Sequence, residues 1–211
     1  MKVDSKNKIL NKIAAIRTKR AAAISATSIK SEDIYKAIEP NAVDCFKNEL
    51  ETVSGKCIIC KNEIELIDNL KKILTEKKIE LLFSKEKEIQ KLLSNNNIIY
   101  SNKETDFKNM QAGISTCEFL IARTGSIIVS STSESGRSMI IYPPIHIVLA
   151  KENQIVSYPE EAFNEIQLKY KNDLPSMFTT ITGPSRTADI EKTLVLGAHG
   201  PKELIVLLLR S

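Results

Sequence analysis

The chain has 211 residues, 42% of them apolar and 27% charged, with a formal net charge of +4. That length and apolar fraction suit one folded α/β domain with an appendage and argue against a small disulfide-stapled scaffold, despite four cysteines. Lysines alternate with glutamates, no aromatic–basic interleaving occurs, and no apolar run approaches the ~18 residues of a spanning helix, which argues against nucleic-acid binding and membrane insertion.

From Ser5 to about Ser25, Ile9, Ile13, Ile16 and Ile24 recur among Lys and Arg. This spacing predicts an amphipathic helix lying across a domain or a neighbouring subunit. The basic start has no uninterrupted apolar segment, so it is not read as a signal peptide, and a reduced, cytoplasmic protein is expected. Residues 34–50 read as a second, less regular helical region that Pro40 interrupts. Residues 1–50 are therefore expected to form a helical extension packing on the domain or a partner, and residues 51–211 the α/β domain.

KCIIC, ending at Cys60, reads as a short buried strand. Its two cysteines stand three positions apart, so period-two alternation puts them on opposite faces, which favours core packing over a redox pair or a metal site. Glu63 to Lys77 has helical periodicity in Leu66, Ile67, Leu70, Ile73 and Leu74. IELLFS is a strand, SKEKEIQKLLSNN a helix with Ser84 as its candidate cap and Lys87 and Glu88 facing solvent, and NNNIIYS a strand. Strand, helix, strand, helix, strand with short links predicts a largely parallel sheet with helices on both faces.

GISTCEFLIARTG reads as a short helix starting at Ser115 and closed by a turn at Gly125, followed by SIIVSS as a buried strand. STSESGRS is a polar loop. Pro143-Pro144 turns the chain into a strand through His146 to Ala150, Pro159 to about Lys171 is helical, a strand ends at Thr179–Thr182, and ELIVLLLR is a strongly apolar strand. SRTADIEKTL reads as a helix, with Ser185 or Thr187 as cap and Ile190, Leu194 and Val195 on its apolar face.

Several polar positions carry candidate chemistry. Thr124 and Gly125 sit in a turn that could hold an anion or simply close a helix. Arg137, beside the flexible Gly136, could clamp a carboxylate or phosphate, or stand in a solvated loop. His146 reads either as a core-edge histidine with one hydrogen bond or as a ligand-facing one. Gly183 and Pro184 bend the chain, and Ser185, Arg186 and Thr187 can donate hydrogen bonds to an anion. Asp189 and Glu191 can orient Arg186 or hold a hydroxyl. His199, between Gly197 and Gly200, can exchange a proton near neutral pH or merely bridge two loops. Dinucleotide, Walker, nucleophile-elbow and HExxH motifs are absent from the sequence. These residues suggest a polar small-molecule or phosphate-like pocket and stop short of a reaction.

The stretch TITGPSRTADIEKTLVLGAHGPKELIVLLL, with Arg123-Thr124-Gly125-Ser126, Gly136-Arg137 and Pro143-Pro144-Ile145-His146 before it, closely resembles the lactate-utilisation (LUD) domain family. The resemblance implies a three-layer α/β/α fold like that of ribose-phosphate isomerases, coenzyme A transferases and formyltetrahydrofolate cyclo-ligases. It implies a component of a bacterial system that oxidises L-lactate to pyruvate, whose partners carry the iron–sulfur clusters. Thr124, Gly125, Arg137, His146, Gly183, Ser185, Arg186, Thr187, Asp189, Glu191, His199 and Gly200 match the family pattern. Arg123 departs from it, standing where an acidic residue is expected.

Two expectations follow. Arg137, His146, Arg186 and His199 converge at the carboxyl ends of the strands, where open α/β sheets bind ligands. There, Arg186 or Arg137 holds a small anionic metabolite or cofactor, and His199 or His146, with Asp189 and Glu191 nearby, handles protons. The alternatives are a non-catalytic module that binds an iron–sulfur electron-transfer partner, or an independent enzyme on a phosphorylated or coenzyme A substrate.

Overall fold

A computed structural model describes residues 8–12, 37–135, 138–171, 173–187, 195–196 and 200–210. The chain divides into two compact units, Met1–Ala37 and Ile38–Ser211. In the first, residues 8–12 are helical with Ile9 and Leu10 exposed. The rest of the expected amphipathic helix, including Ile13, Ile16 and Ile24, lies outside the described residues.

The larger unit begins before its first helix, α1 (Ala42–Thr52). Asn41 caps it by accepting the Asp44 N–H at 2.9 Å, so the helix starts just past Pro40. Val43, Phe46 and Leu50 lie on one stripe and are buried. The helix straddling the expected boundary at residue 50 therefore belongs wholly to the α/β unit.

Twelve strands follow among the described residues: β1 (Lys56–Cys60), β2 (Leu82–Phe83), β3 (Tyr100–Ser101), β4 (Ala112–Thr116), β5 (Phe119–Ile121), β6 (Ser126–Ser130), β7 (Ile145–Lys151), β8 (Ile155–Val156), β9 (Phe178–Ile181), β10 (Arg186–Thr187), β11 (Val195–Leu196) and β12 (Glu203–Leu209). Helices α2 (Glu63–Glu76) and α3 (Lys87–Asn95) link β1 to β2 and β2 to β3, and α4 (Pro159–Tyr170) follows β8. Six strands form an all-parallel sheet in the order β1-β12-β7-β4-β2-β3. The strand–helix alternation from β1 to β3 thus folds as its sequence predicts.

Alternation along the central strands supplies both faces of this sheet. Ile205 and Leu207 pack with Ile147, Ile114 and the inner faces of α2 and α3. Leu204, Val206 and Leu208 pack with Val148, Ala150 and α1 on the other side. Cys57 and Cys60 fall into these two different clusters, as their spacing requires, and burial pushes the Cys57 thiol up to about 12.

A second sheet, β8-β5-β6-β9, shares the α1 side through Leu120, Ile127 and Val129. Its outer face carries α4 through Ala162 and Ile166 against Ile121 and Ile128. The sequence reading missed this sheet because it took residues 115–124 for a helix. In fact β4 runs through Ser115, β5 follows after Cys117 and Glu118, and only Ala122–Thr124 make a short 3-10 turn. Small and β-branched residues on the pleat suit two strands that cross from one sheet to the next.

Two smaller readings also change. Ser84 does not cap α3: Glu86 occupies the cap position without a side-chain cap bond, and the buried Ser84 hydroxyl has no partner. The expected helix from Ser185 does not begin there either, because Arg186 and Thr187 pair antiparallel with Leu196 and Val195. Residues 188–194 between them lie outside the described residues.

Candidate functional site

Of the family-pattern residues that the structure describes, Gly200 and His146 lie at the amino ends of β12 and β7. Gly200 and Pro201 lead into β12, and Pro143-Pro144 lead into β7. The Pro144 carbonyl accepts the N–H groups of Lys202 and Glu203, and the Pro201 carbonyl accepts that of Ser185 at 2.8 Å. A side chain on Gly200 would press on Ser185, its Cβ only 2.9 Å from the serine Cβ.

Others gather round the C-terminal turn of α1, just before β1. Gly125 has φ 58°, and any Cβ there would collide with the backbone of Glu49 and Leu50. Gly183 has φ 79°, and a Cβ there would collide with the Val53 carbonyl. Arg186 is exposed and donates from Nη2 to that carbonyl at 2.5 Å and to Ser54 Oγ at 2.8 Å, so it ties down the helix end. Thr124 Oγ1 donates to Ser126 Oγ, which bonds Thr182 Oγ1, each at 2.8 Å. Arg123 pairs with Glu49 at 3.0 Å, so the residue that departs from the family pattern has its own partner on α1.

His146 stands apart from these. It is fully buried on β7 beside Gly113 of β4, and its Nε2 bonds Ser115 Oγ at 2.8 Å. Burial pushes the imidazole down from 6.5 to about 4, so it is neutral at physiological pH. Thr187 is placed by its pairing with Val195 alone. Arg137, Asp189, Glu191 and His199 lie outside the described residues, so the expected convergence of Arg137, His146, Arg186 and His199 concerns residues the structure does not place.

The carboxyl edge holds an open cleft. Strands β2 and β4 are neighbours, but β2 leads to α3 on one face of the sheet and β4 leads to β5 on the other. Where adjacent strands send their connections to opposite faces, a crevice opens at their carboxyl ends, and α/β sheets bind ligands there. A cleft of about 470 Å³ lies at this point, lined by Glu86, Glu118, Ser130, Thr132, Lys169 and Tyr170 among others.

Glu86 is buried, and its carboxylate gathers both walls. Thr116 donates its N–H to both oxygens at 3.2 and 3.1 Å and its hydroxyl at 2.7 Å. Ser133 and Ser135 donate to Oε1 at 3.0 and 2.5 Å. Glu134 in turn accepts the first N–H of α3, from Lys87, at 2.7 Å.

Glu118 faces α4. It accepts from Ser130 Oγ, Tyr170 Oη and Lys169 Nζ, each at 2.6 Å. Burial pushes its carboxyl up, but these three bonds and the Lys169 charge outweigh it and hold the group below its ordinary value. The pair is ionised at neutral pH, with the Lys169 side chain 55% exposed, so the ammonium keeps donors free for a ligand. Sequence reading missed Glu86, Glu118, Ser130, Lys169 and Tyr170. The available signal was a glutamate two residues after a strand's end, in TCEF, and polar residues directly after the apolar LLF.

A family model for the LUD domain matches residues 43–209. The chain belongs to the LUD domain family. An uncharacterized protein of Neisseria meningitidis serogroup B is 31% identical to this LUD domain over 186 residues, covering 88% of this chain and 74% of that protein. Lactate utilization protein C of Bacillus subtilis is 36% identical over 91 residues, 42% of this chain and 38% of that protein. The match therefore spans about two-fifths of that relative's length. In fold, the LUD domain is similar to a crystal structure of a DUF162 family protein from Deinococcus radiodurans, with a TM-score of 0.58 at 18% identity over 80% of this chain and 96% of that one.

Proposed function

We propose that this LUD domain serves lactate utilisation and holds a small 2-hydroxy or 2-oxo acid in the cleft between Glu86 and Glu118. The observation that carries the role is the 36% identity to Lactate utilization protein C of Bacillus subtilis. Four glutamates, Glu86, Glu88, Glu118 and Glu134, share the lining with Lys87 and Lys169; of the two lysines, Lys169, paired to Glu118 but with its side chain 55% exposed, can meet a carboxylate, and ionised Glu118 can accept a hydrogen bond from the 2-hydroxyl. Oxidising the C2 alcohol to a ketone releases two electrons and two protons. No amino-acid side chain stores two electrons, so the proposal includes an iron–sulfur protein partner that takes them. On this reading Gly125, Gly183, Ser185, Arg186 and Gly200 brace the fold, and their bonds to α1 and to the entry of β12 support that assignment.

Calorimetric titration of the purified chain with L-lactate and pyruvate tests the proposal, wild type beside Lys169→Gln. The expected result is saturable binding of at least one acid, weakened roughly tenfold in the variant, the scale of one lost charge-assisted hydrogen bond. Binding that Lys169→Gln leaves untouched moves the ligand out of this cleft. Binding of neither acid by folded protein rejects the metabolite site and leaves the interaction module.

A further inference from the structure

A second cleft, of about 400 Å³, opens along the same carboxyl edge, and Glu88, Thr116 and Cys117 line both. The two differ in chemistry. The first is walled by carboxylates, ammonium groups and hydroxyls. The second has Glu63, Glu88, Lys151 and Gln154 in its lining, but Leu66, Ile89, Leu92, Leu149 and Leu209 give it an apolar floor where α2 and α3 meet the ends of β7 and β12. Leu92, Leu149 and Leu209 are only partly buried by their neighbours, so they leave apolar surface open to this cleft. Of the three shared residues, Thr116 and Cys117, whose thiol burial pushes far up, are uncharged, and Glu88 borders the step between the clefts.

Clefts of this size hold ligands much larger than a three-carbon acid. Lactate carries a single methyl group beyond C2 and leaves most of the first cleft, and all of the second, unfilled. Granted the proposed role in lactate utilisation, on which this inference rests, we propose that the paired clefts take 2-hydroxy or 2-oxo acids with a longer apolar chain than lactate. The carboxylate lies against Lys169 with the 2-hydroxyl on Glu118, and the chain crosses Thr116 and Cys117, past Glu88, to lie on the leucines. Each methylene moved from water onto that floor strengthens binding by about fourfold.

The test is a calorimetric series on the wild-type chain: L-lactate, L-2-hydroxybutyrate, L-2-hydroxyhexanoate and L-2-hydroxyoctanoate. Affinity is expected to climb about fourfold per methylene and level off once the second cleft is full. Leu92→Gln and, independently, Leu209→Gln are expected to flatten the climb, read as the ratio of the hexanoate to the lactate affinity in each protein. Lactate that binds as well as or better than its longer homologues overturns this inference and leaves the lactate role standing. A climb that both leucine variants preserve overturns it as well, because the chain then lies elsewhere. Binding of none of the acids overturns the proposed metabolite site and this inference together.

Discussion

The two ends of the parallel sheet use polar residues in opposite ways. At the amino ends, Arg186, Ser185, Thr124 and Ser126 make their bonds to other parts of the protein, and Gly125 and Gly183 let backbones meet where no side chain fits. At the carboxyl edge, Glu86, Glu118 and Lys169 also have partners, but they border a cleft of about 470 Å³ that a ligand can enter. On the proposed reading, Gly183, Ser185 and Arg186 act as a brace, and the candidate chemistry lies across the sheet from them. Open space at the carboxyl edge is a feature that residue type alone does not report.

The largest effect expected from disturbing the brace is at Gly125. Gly125→Ala adds a Cβ against the α1 backbone at a left-handed φ of 58° and should cost about 3 kcal/mol in urea unfolding, from strain and overpacking together. A cost below about 1 kcal/mol would mean that α1 can move aside and that the brace is loose.

A titration contrasts the interior with the cleft. The unfolded His146 imidazole takes up a proton as pH falls through 6.5, while the folded one waits until about 4. The unfolded state thus binds more protons in that interval, so stability is full above 6.5 and falls by about 3 kcal/mol as pH drops towards 4. Glu118 works in a lower window. Its folded carboxyl lies below the ordinary 4.5, so its contribution is present above that value and is lost as pH falls through the folded one. Unfolding free energies at pH 7, 5.5 and 4 should show the first decline in the wild type and not in His146→Gln. A flat wild-type profile over that range would show His146 to be hydrated.

The smallest expected effect decides most about the comparison. Arg186→Ala removes two hydrogen bonds at an exposed position and should cost about 1 kcal/mol. It should change metabolite affinity less than about twofold, the limit expected of a site that shares no partner with the ligand. Abolished binding in this variant would put the ligand at the amino ends and reverse the assignment of the two regions.

Periodic segments made the main sheet legible in the sequence. Leu66, Ile67, Leu70 and Ile73 marked α2, and the opposite faces of Cys57 and Cys60 followed from spacing alone. The chain around Ser115 was misread because two short strands joined by Cys117 and Glu118 carry too few residues to reveal a period of two. At Arg186 and Thr187, strand pairing with Leu196 and Val195 replaces the helix start that the sequence suggested there. The cleft was hidden for a different reason. Glu86, Glu118, Ser130 and Lys169 are scattered along the chain, and what gathers them is the divergence of β2 and β4, a property of topology.

The position of β12 bears on how the molecule is made. This strand, near the chain's C-terminus, lies between β1 and β7, with Lys56 beside Ile205 and Ile145 beside Glu203. As the chain emerges from a ribosome, β1 has no neighbour to bond until its late partner arrives, and the apolar faces of α1 and α2 wait with it. Pairing across so long an interval is slow, and the waiting intermediate exposes surface that invites aggregation. A nascent chain arrested before Glu203 is expected to be a chaperone client, and release of β12 to be the step that ends that dependence.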